Sequence, residues 1–211
     1  MLAENYDAWY GTPRGAWIGD LEYSLLHRIL AAEPRSSILD IGCGSGYFSR
    51  RFARDGYRVT GIDLDPAMVG FARRHRTAGE DYFVADALAL PFADCSFDYC
   101  VSVTALCFVR DERKALGEMV RVARRGVALG LLNRRSLLYW QKGRHGGSGA
   151  YRGAHWHSRA EILSLMQNSS LQPPSIASAI VLASGSSLAR SIEGLLPCGA
   201  FLAVAANRSR R

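Results

Sequence analysis

Residues 40–48, DIGCGSGYF, close a short apolar run with three glycines at alternate positions, Gly42, Gly44 and Gly46. Glycine at that density marks a turn that bends tightly and lets backbone come close to a ligand. A dinucleotide-binding turn has the register G-x-G-x-x-G, its third glycine allowing close helix–strand packing. Here the register is G-x-G-x-G, and Tyr47 stands where that third glycine would be. A phosphate loop would run on into Lys-Ser or Lys-Thr, whereas this chain runs on into Tyr47-Phe48. Asp40, two residues before Gly42, repels phosphate and attracts an ammonium group. The turn suits a cationic or zwitterionic ligand.

Outward from the turn, apolar runs alternate with helical spacing. Leu21, Leu25, Leu26, Ile29 and Leu30 predict a helix over 20–33 that Pro34 ends. Strands are expected at Ser37–Ile41, Val59–Ile62, Tyr82–Val84, Phe97–Val103 and Val127–Leu132, with helices over 46–55, 66–78 and 111–123 between them. Alternation of this kind predicts an α/β, Rossmann-like, doubly wound and mostly parallel sheet with helices on both faces. Ligands of such sheets bind outside the carboxyl ends of the strands, where the glycine turn sits. Beyond Asn133 the period is lost: residues 134–157 are rich in Gly, Arg and aromatics. Ser158 with Glu161 has capping-box spacing and predicts a helix over 158–168. Apolar stretches at 176–183 and 200–206 are expected to close the sheet. No repeat or boundary divides the chain, so it reads as a single domain over 1–211. Residues 1–33 form its N-terminal lid and helix, and 134–157 an insertion covering the acceptor pocket.

The second strand ends in Asp63, about 20 residues past the turn, where an acid can accept two ribose hydroxyls. One carboxylate for an ammonium and one for a ribose, with no phosphate grip, fit a nucleoside joined to an amino acid. S-adenosylmethionine is such a molecule. The stretches ILDIGCGSGYFSRRFARDGYRVTGIDLDPAMV (38–69) and VADALALPFADCSFDYCVSVTAL (84–106) resemble the successive motifs of class I S-adenosylmethionine-dependent methyltransferases. YDAWYGTPRGAWIGDLE (6–22) and LGLLNRRS (129–136) are similar to the small-molecule branch of that class, the methyltransferase type 11 group. The resemblance implies a seven-stranded sheet of order 3-2-1-4-5-7-6, S-adenosylmethionine as cofactor and S-adenosylhomocysteine as product. It implies that Asp40, Gly42, Gly44 and Gly46 line the methionine part and that Asp63 binds the ribose. Leu64 and Met68 would pack beside the adenine, Asp86 would meet its amino group, and Ala87 or Leu88 would add a backbone amide. Ser102, Val103 and Thr104 would lie beneath the sulfonium, with Tyr6, Trp9, Tyr10 and Gly15 on a lid above.

Composition narrows the alternatives. At 211 residues, 48% hydrophobic and 21% charged, the chain can bury one good-sized core. No run of about 18 apolar residues predicts a membrane span. The N-terminus MLAENYDAWYG lacks a signal-peptide pattern, so a cytoplasmic protein is expected. Cys43, Cys95, Cys100, Cys107 and Cys198 form no CxxC pair and are expected to be free thiols. Of the formal charge of +7, Arg208, Arg210 and Arg211 supply three, read as a solvated tail.

Methyl transfer from a sulfonium is an in-line displacement that needs a base only if the acceptor arrives protonated. His155, His157 and Tyr151 are the candidate catalytic groups on the acceptor side. No cysteine or carboxylate cluster in sequence accompanies the two histidines, so no metal is expected. The neighbouring Arg and Lys residues suggest an anionic aromatic or carboxylate acceptor. After the fourth strand the chain lacks the Asn-Pro-Pro-Tyr-like turn of base-flipping methylases. A small molecule is therefore favoured over nucleic acid. An RNA methyltransferase using the basic tail, or a cofactor-binding protein without turnover, are the rival readings.

Overall fold

The computed structural model describes residues 2–167, 169–180 and 198–208. Seven strands form one sheet: β1 (Ser37–Ile41), β2 (Arg58–Asp63), β3 (Glu80–Val84), β4 (Phe97–Val103), β5 (Ala123–Leu132), β6 (Ser175–Ala179) and β7 (Phe201–Asn207). Their order is β3-β2-β1-β4-β5-β7-β6, as the resemblance implied. The first five pair in parallel, and β7 runs antiparallel between β5 and β6. The central strands are buried on both faces, which is why they read as continuous apolar runs.

Among the described residues there are six α-helices: α1 (Ala3–Tyr10), α2 (Pro13–Leu30), α3 (Tyr47–Arg54), α4 (Pro66–Arg74), α5 (Glu112–Val122) and α6 (Arg159–Met166). On one face Leu26 and Leu30 of α2 and Phe52 of α3 pack with Ile38, Phe201 and Ala203. On the other, Leu116, Met119 and Val122 of α5 and Ile162 of α6 pack with Leu129 and Leu131. The Ser158 cap is as expected: its Oγ accepts from the Glu161 amide, and Glu161 answers with the Ser158 amide.

Several boundaries differ from expectation. Helix α2 starts at Pro13, because Thr12 Oγ1 accepts from the Gly15 amide at 3.0 Å and caps the first turn. It ends when Ala31 turns left-handed (φ 47°), before Pro34 is reached. The apolar stretch 176–183 yields β6 only to Ala179, and 181–183 lie outside the described residues. Residues 134–157 form short 3₁₀ and π turns. Arg208 is no solvated tail: it donates to the Val120 carbonyl at 2.6 Å, while Arg210 and Arg211 lie outside the described residues. The five cysteines are free, and no helix among the described residues is long and apolar enough to cross a membrane.

Helix α1 is pinned onto the glycine turn. Asp7 accepts from Ser45 Oγ at 2.7 Å and from Arg50 at 2.5 Å, and Arg50 also donates to the Ser45 carbonyl at 2.7 Å. The Tyr10 ring stacks on Tyr47 at 3.8 Å. Arg50 is buried, so its hydrogen bonds to Asp7 and Ser45 are not met by water. Replacing Arg50 with Ala is expected to speed amide exchange across Ala3–Tyr10 by about tenfold or more, leaving β1, β4 and β5 unchanged. Hydrogen-exchange mass spectrometry checks this, and unaltered α1 exchange would contradict the pinning.

Candidate cofactor and acceptor site

The turn after β1 is left-handed at all three glycines: φ is 72° at Gly42, 54° at Gly44 and 83° at Gly46. A Cβ at Gly42 would come within 2.2 Å of the Ala105 methyl, so neither space nor backbone admits a side chain there. The amides of Gly42 and Cys43 both donate to the Ile62 carbonyl at 2.8 Å. Asp63 completes the join, its Oδ2 accepting from the Gly44 amide and its Oδ1 from the Asp65 amide, each at 2.9 Å. The half-buried carboxylate keeps acceptor capacity on both oxygens, since each has two lone pairs.

Asp40 lies deeper. It is 2% exposed, and Ser49 Oγ of α3 donates to its Oδ2 at 2.5 Å. Burial pushes its carboxyl up to about 7; the Ser49 bond opposes this and the charge of Asp63 adds to it.

Around the mouth, Leu64 is 68% exposed, which no packing requirement explains. Met68, Ala87 and Leu88 are half-buried, and Asp86 is exposed, accepting from the Leu88 amide at 2.9 Å. Val103 is buried at the tip of β4. Beside it Ser102 Oγ is buried with no hydrogen-bond partner. Thr104, a β-branched residue, sits at φ 57°, a strained conformation of the kind that gathers at functional sites.

The lid residues converge here as well. The Tyr6 ring is the nearest atom group to a Cβ built on Gly44, at 3.5 Å, and its hydroxyl lies 3.4 Å from that of Tyr10. Trp9 packs edge-on against Tyr10, and Gly15 is required because a Cβ there would strike the Trp9 carbonyl at 1.9 Å. Burial lifts the Tyr6 phenol to about 12 and Tyr10 well above the usual range, so both rings are neutral. An open groove of about 660 Å³ lined by Tyr10 and Tyr47 has two of its three arginines, Arg50 and Arg51, committed to Asp7 and Asp20, and it includes none of Asp40, Asp63 and Asp86.

One residue escaped the sequence reading. Glu22 of α2 is 8% exposed and makes no hydrogen bond or ion pair among the described residues. Burial lifts its carboxyl to about 8, and its charge is felt by Tyr6, Tyr10 and Tyr151. The available signal was its register. Gly15, Gly19, Glu22, Leu26 and Leu30 share one buried stripe of α2, and an acid there is out of place.

The three candidate catalytic groups do not assemble. Trp156 packs against Tyr139 and Tyr151, at 5.5 and 5.4 Å between rings. In the extended segment His155 and His157 project to the other side. His157 is buried and its Nε2 lies 3.0 Å from Glu112 Oε2, while His155 is exposed, its ring 4.5 Å from that of His157. The fold thus supplies the carboxylate that sequence reasoning found lacking. One ligand atom from each of Glu112, His155 and His157 lies within 4.8 Å of the others, and Glu112 is 45 residues from His157 in the chain. Of the cations in this segment, Arg134 pairs with Glu161 at 2.8 Å and Arg144 lies 4.5 Å over the Trp140 ring, whereas Lys142 and Arg152, the two expected beside an anionic acceptor, form no ion pair among the described residues.

Residues 39–130 match a family described as "Methyltransferase domain". These residues form a methyltransferase domain of class I. The chain is 35% identical over 136 residues to a malonyl-[acyl-carrier protein] O-methyltransferase of Pectobacterium atrosepticum, covering 60% of this chain and 53% of that one. It is 37% identical over 97 residues to a demethylmenaquinone methyltransferase of Renibacterium salmoninarum, covering 46% and 40%. The chain therefore spans about half or less of these curated relatives. Among solved structures, a Thermotoga maritima S-adenosylmethionine-dependent methyltransferase, described as a possible histamine N-methyltransferase, superposes with a TM-score of 0.78 at 23% identity over 98% of this chain and 96% of that one. At that identity the likeness is one of fold.

Glu22 also makes stability pH-dependent. Its folded pKa, about 8, lies above the ordinary 4.5, so the unfolded chain loses its proton first. Stability is fully present below pH 4.5 and is lost as pH rises to about 8. Replacing Glu22 with Gln removes that loss, so the variant is expected to gain on the wild type progressively across this window, by on the order of 4–5 kcal/mol at its upper end. Denaturant unfolding at stepped pH checks this, and parallel pH curves would contradict it.

Proposed function

We propose that the protein transfers a methyl group from S-adenosylmethionine to a small-molecule acceptor. The observation that carries the reading is Asp63. Its carboxylate joins the tip of β2 to the glycine turn and retains acceptor capacity on both oxygens beside exposed Leu64 and Asp86. The residues present fit a nucleoside with an amino-acid tail. Left-handed glycines leave the turn bare, the apolar rim at Leu64 and Met68 suits a purine face, and Ser102 Oγ is buried without a partner at the end of β4.

When bound, the cofactor supplies an electrophilic methyl on a positively charged sulfur. Asp63 accepts the ribose hydroxyls, and Asp86 with the Ala87 amide reads the adenine edge, since the Leu88 amide is already given to Asp86. Asp40, in the field of Asp63, favours a positive group over the turn, directly or through water. Tyr6, Trp9, Tyr10 and Gly15 close α1 over the cofactor and exclude water, which a displacement of this kind rewards. The segment 134–157, through Tyr151, closes the acceptor side. The engagement of Arg208 inside the fold removes part of the basic tail on which an RNA acceptor would have relied.

Replacing Asp63 with Ala is expected to weaken binding of S-adenosylhomocysteine by about 1–3 kcal/mol, because ribose hydroxyls are left unpaired and the Gly44 amide loses its acceptor. Titration calorimetry measures it, and unchanged affinity would contradict the ribose assignment.

A further inference from the structure

Methyl transfer gives no role to the pairing of Glu112 with His157. His155 and His157 are two apart in an extended stretch, so both rings leave the same side. Between them Trp156 turns the other way and packs with Tyr139 and Tyr151. The stretch is held from both flanks. The His155 amide donates to the Cys107 carbonyl and the His157 amide to the Leu132 carbonyl, each at 2.7 Å, and the His157 carbonyl accepts from the Arg134 amide at 2.9 Å. Glu112 reaches the same spot from the first turn of α5. Asp111, which caps that helix, accepts from the Lys114 amide at 2.9 Å and offsets the positive helix end.

A single hydrogen bond leaves the pair incomplete. Glu112 Oε1 is buried with no partner, where a second oxygen of a carboxylate demands one. His157 is 1% exposed, and no donor reaches its Nδ1, so no contact holds the ring proton on Nε2. With that proton on Nδ1, Nε2 presents a lone pair beside the carboxylate.

We propose that Glu112, His155 and His157 bind a divalent ion of the zinc type, and that the ion fastens the segment after β5 to the start of α5. Two imidazoles and a carboxylate suit such an ion, whereas calcium and magnesium want more oxygen ligands. Ligand atoms about 2.0–2.1 Å from a tetrahedral zinc stand about 3.3 Å apart. His157 Nε2 and Glu112 Oε2 are 3.0 Å apart, and one ligand atom from each of the three residues lies within 4.8 Å of the others. The remaining approach falls to His155, whose exposed ring turns without disturbing the core. Three protein ligands leave a fourth position to water. The ion sits on the side of the stretch opposite Trp156, so its part is to hold the backbone from which Trp156 supports Tyr139 and Tyr151. Its binding requires no methyl donor.

The test uses the full chain, stripped of metal with a chelator and kept free of S-adenosylmethionine, with Zn²⁺, Co²⁺ and Mg²⁺ alone as probes. Calorimetry is expected to show one Zn²⁺ per chain, bound at least about hundredfold tighter than Mg²⁺. Co²⁺ should give the strong visible absorption of a four- or five-coordinate ion. Glu112→Gln, which keeps the shape of the side chain, and His155→Ala, at an exposed position, should each weaken Zn²⁺ by about tenfold or more, since losing even a partner of a ligand costs that much. His75→Ala, an exposed histidine outside the cluster, should bind as the wild type does. Zn²⁺ should slow amide exchange at His155 and His157 about tenfold in the wild type and in neither cluster variant. Absent Zn²⁺ binding, equal affinity for Mg²⁺, full Zn²⁺ affinity in Glu112→Gln or His155→Ala, or unaltered exchange in the wild type would overturn the proposal.

Discussion

The hydrogen bond from the Gly44 amide to Asp63 joins two strand tips that would otherwise present separate loops. It forms only because glycines let the chain turn left-handed after β1, and because β2 lies beside β1 in parallel register, Ile41 against Ile62. The same carboxylate also caps the backbone at Asp65. One side chain thereby fixes the shape of the turn and places negative charge at its lip. The lid follows from this arrangement, since Asp7 reaches the turn at Ser45 and Tyr6 rests against Gly44.

Charge is the second consequence. Asp40 and Glu22 are both buried, and burial is the leading cause of the rise in both pKa values. Neither has a cationic side chain to answer it among the described ion pairs. Ordinary cores avoid such groups or pair them. Their retention around one bare turn is what the proposed binding of a positively charged cofactor would use, with hydrophobic packing elsewhere carrying the electrostatic cost.

Sequence patterning disclosed the strands well, because a parallel strand buried on both faces leaves a mostly apolar run, such as Ile38–Ile41 interrupted by Asp40 or Cys100–Val103 interrupted by Ser102. Asp63 was legible too, through its fixed distance from the turn. Glu22 was not, because amphipathic counting assigns any acid to the solvent side and attends to the leucines around it. Glu112 was hidden for a different reason: its partner His157 is distant in sequence, and only the packing of α5 beside the segment after β5 brings them together. The same holds for Asp7 with Arg50. Local pattern discloses elements and their turns, whereas pairings across elements require the topology to be known.

If positive charge is what this turn receives, binding must draw the raised carboxyls back toward their ordinary range and release protons. Calorimetric titration with S-adenosylmethionine near pH 7, repeated in buffers of different ionisation enthalpy, counts those protons directly. The account predicts net proton release on binding S-adenosylmethionine, less with the uncharged-sulfur product, and no binding of NAD. Binding without proton exchange, or NAD occupying the turn in preference, would contradict it.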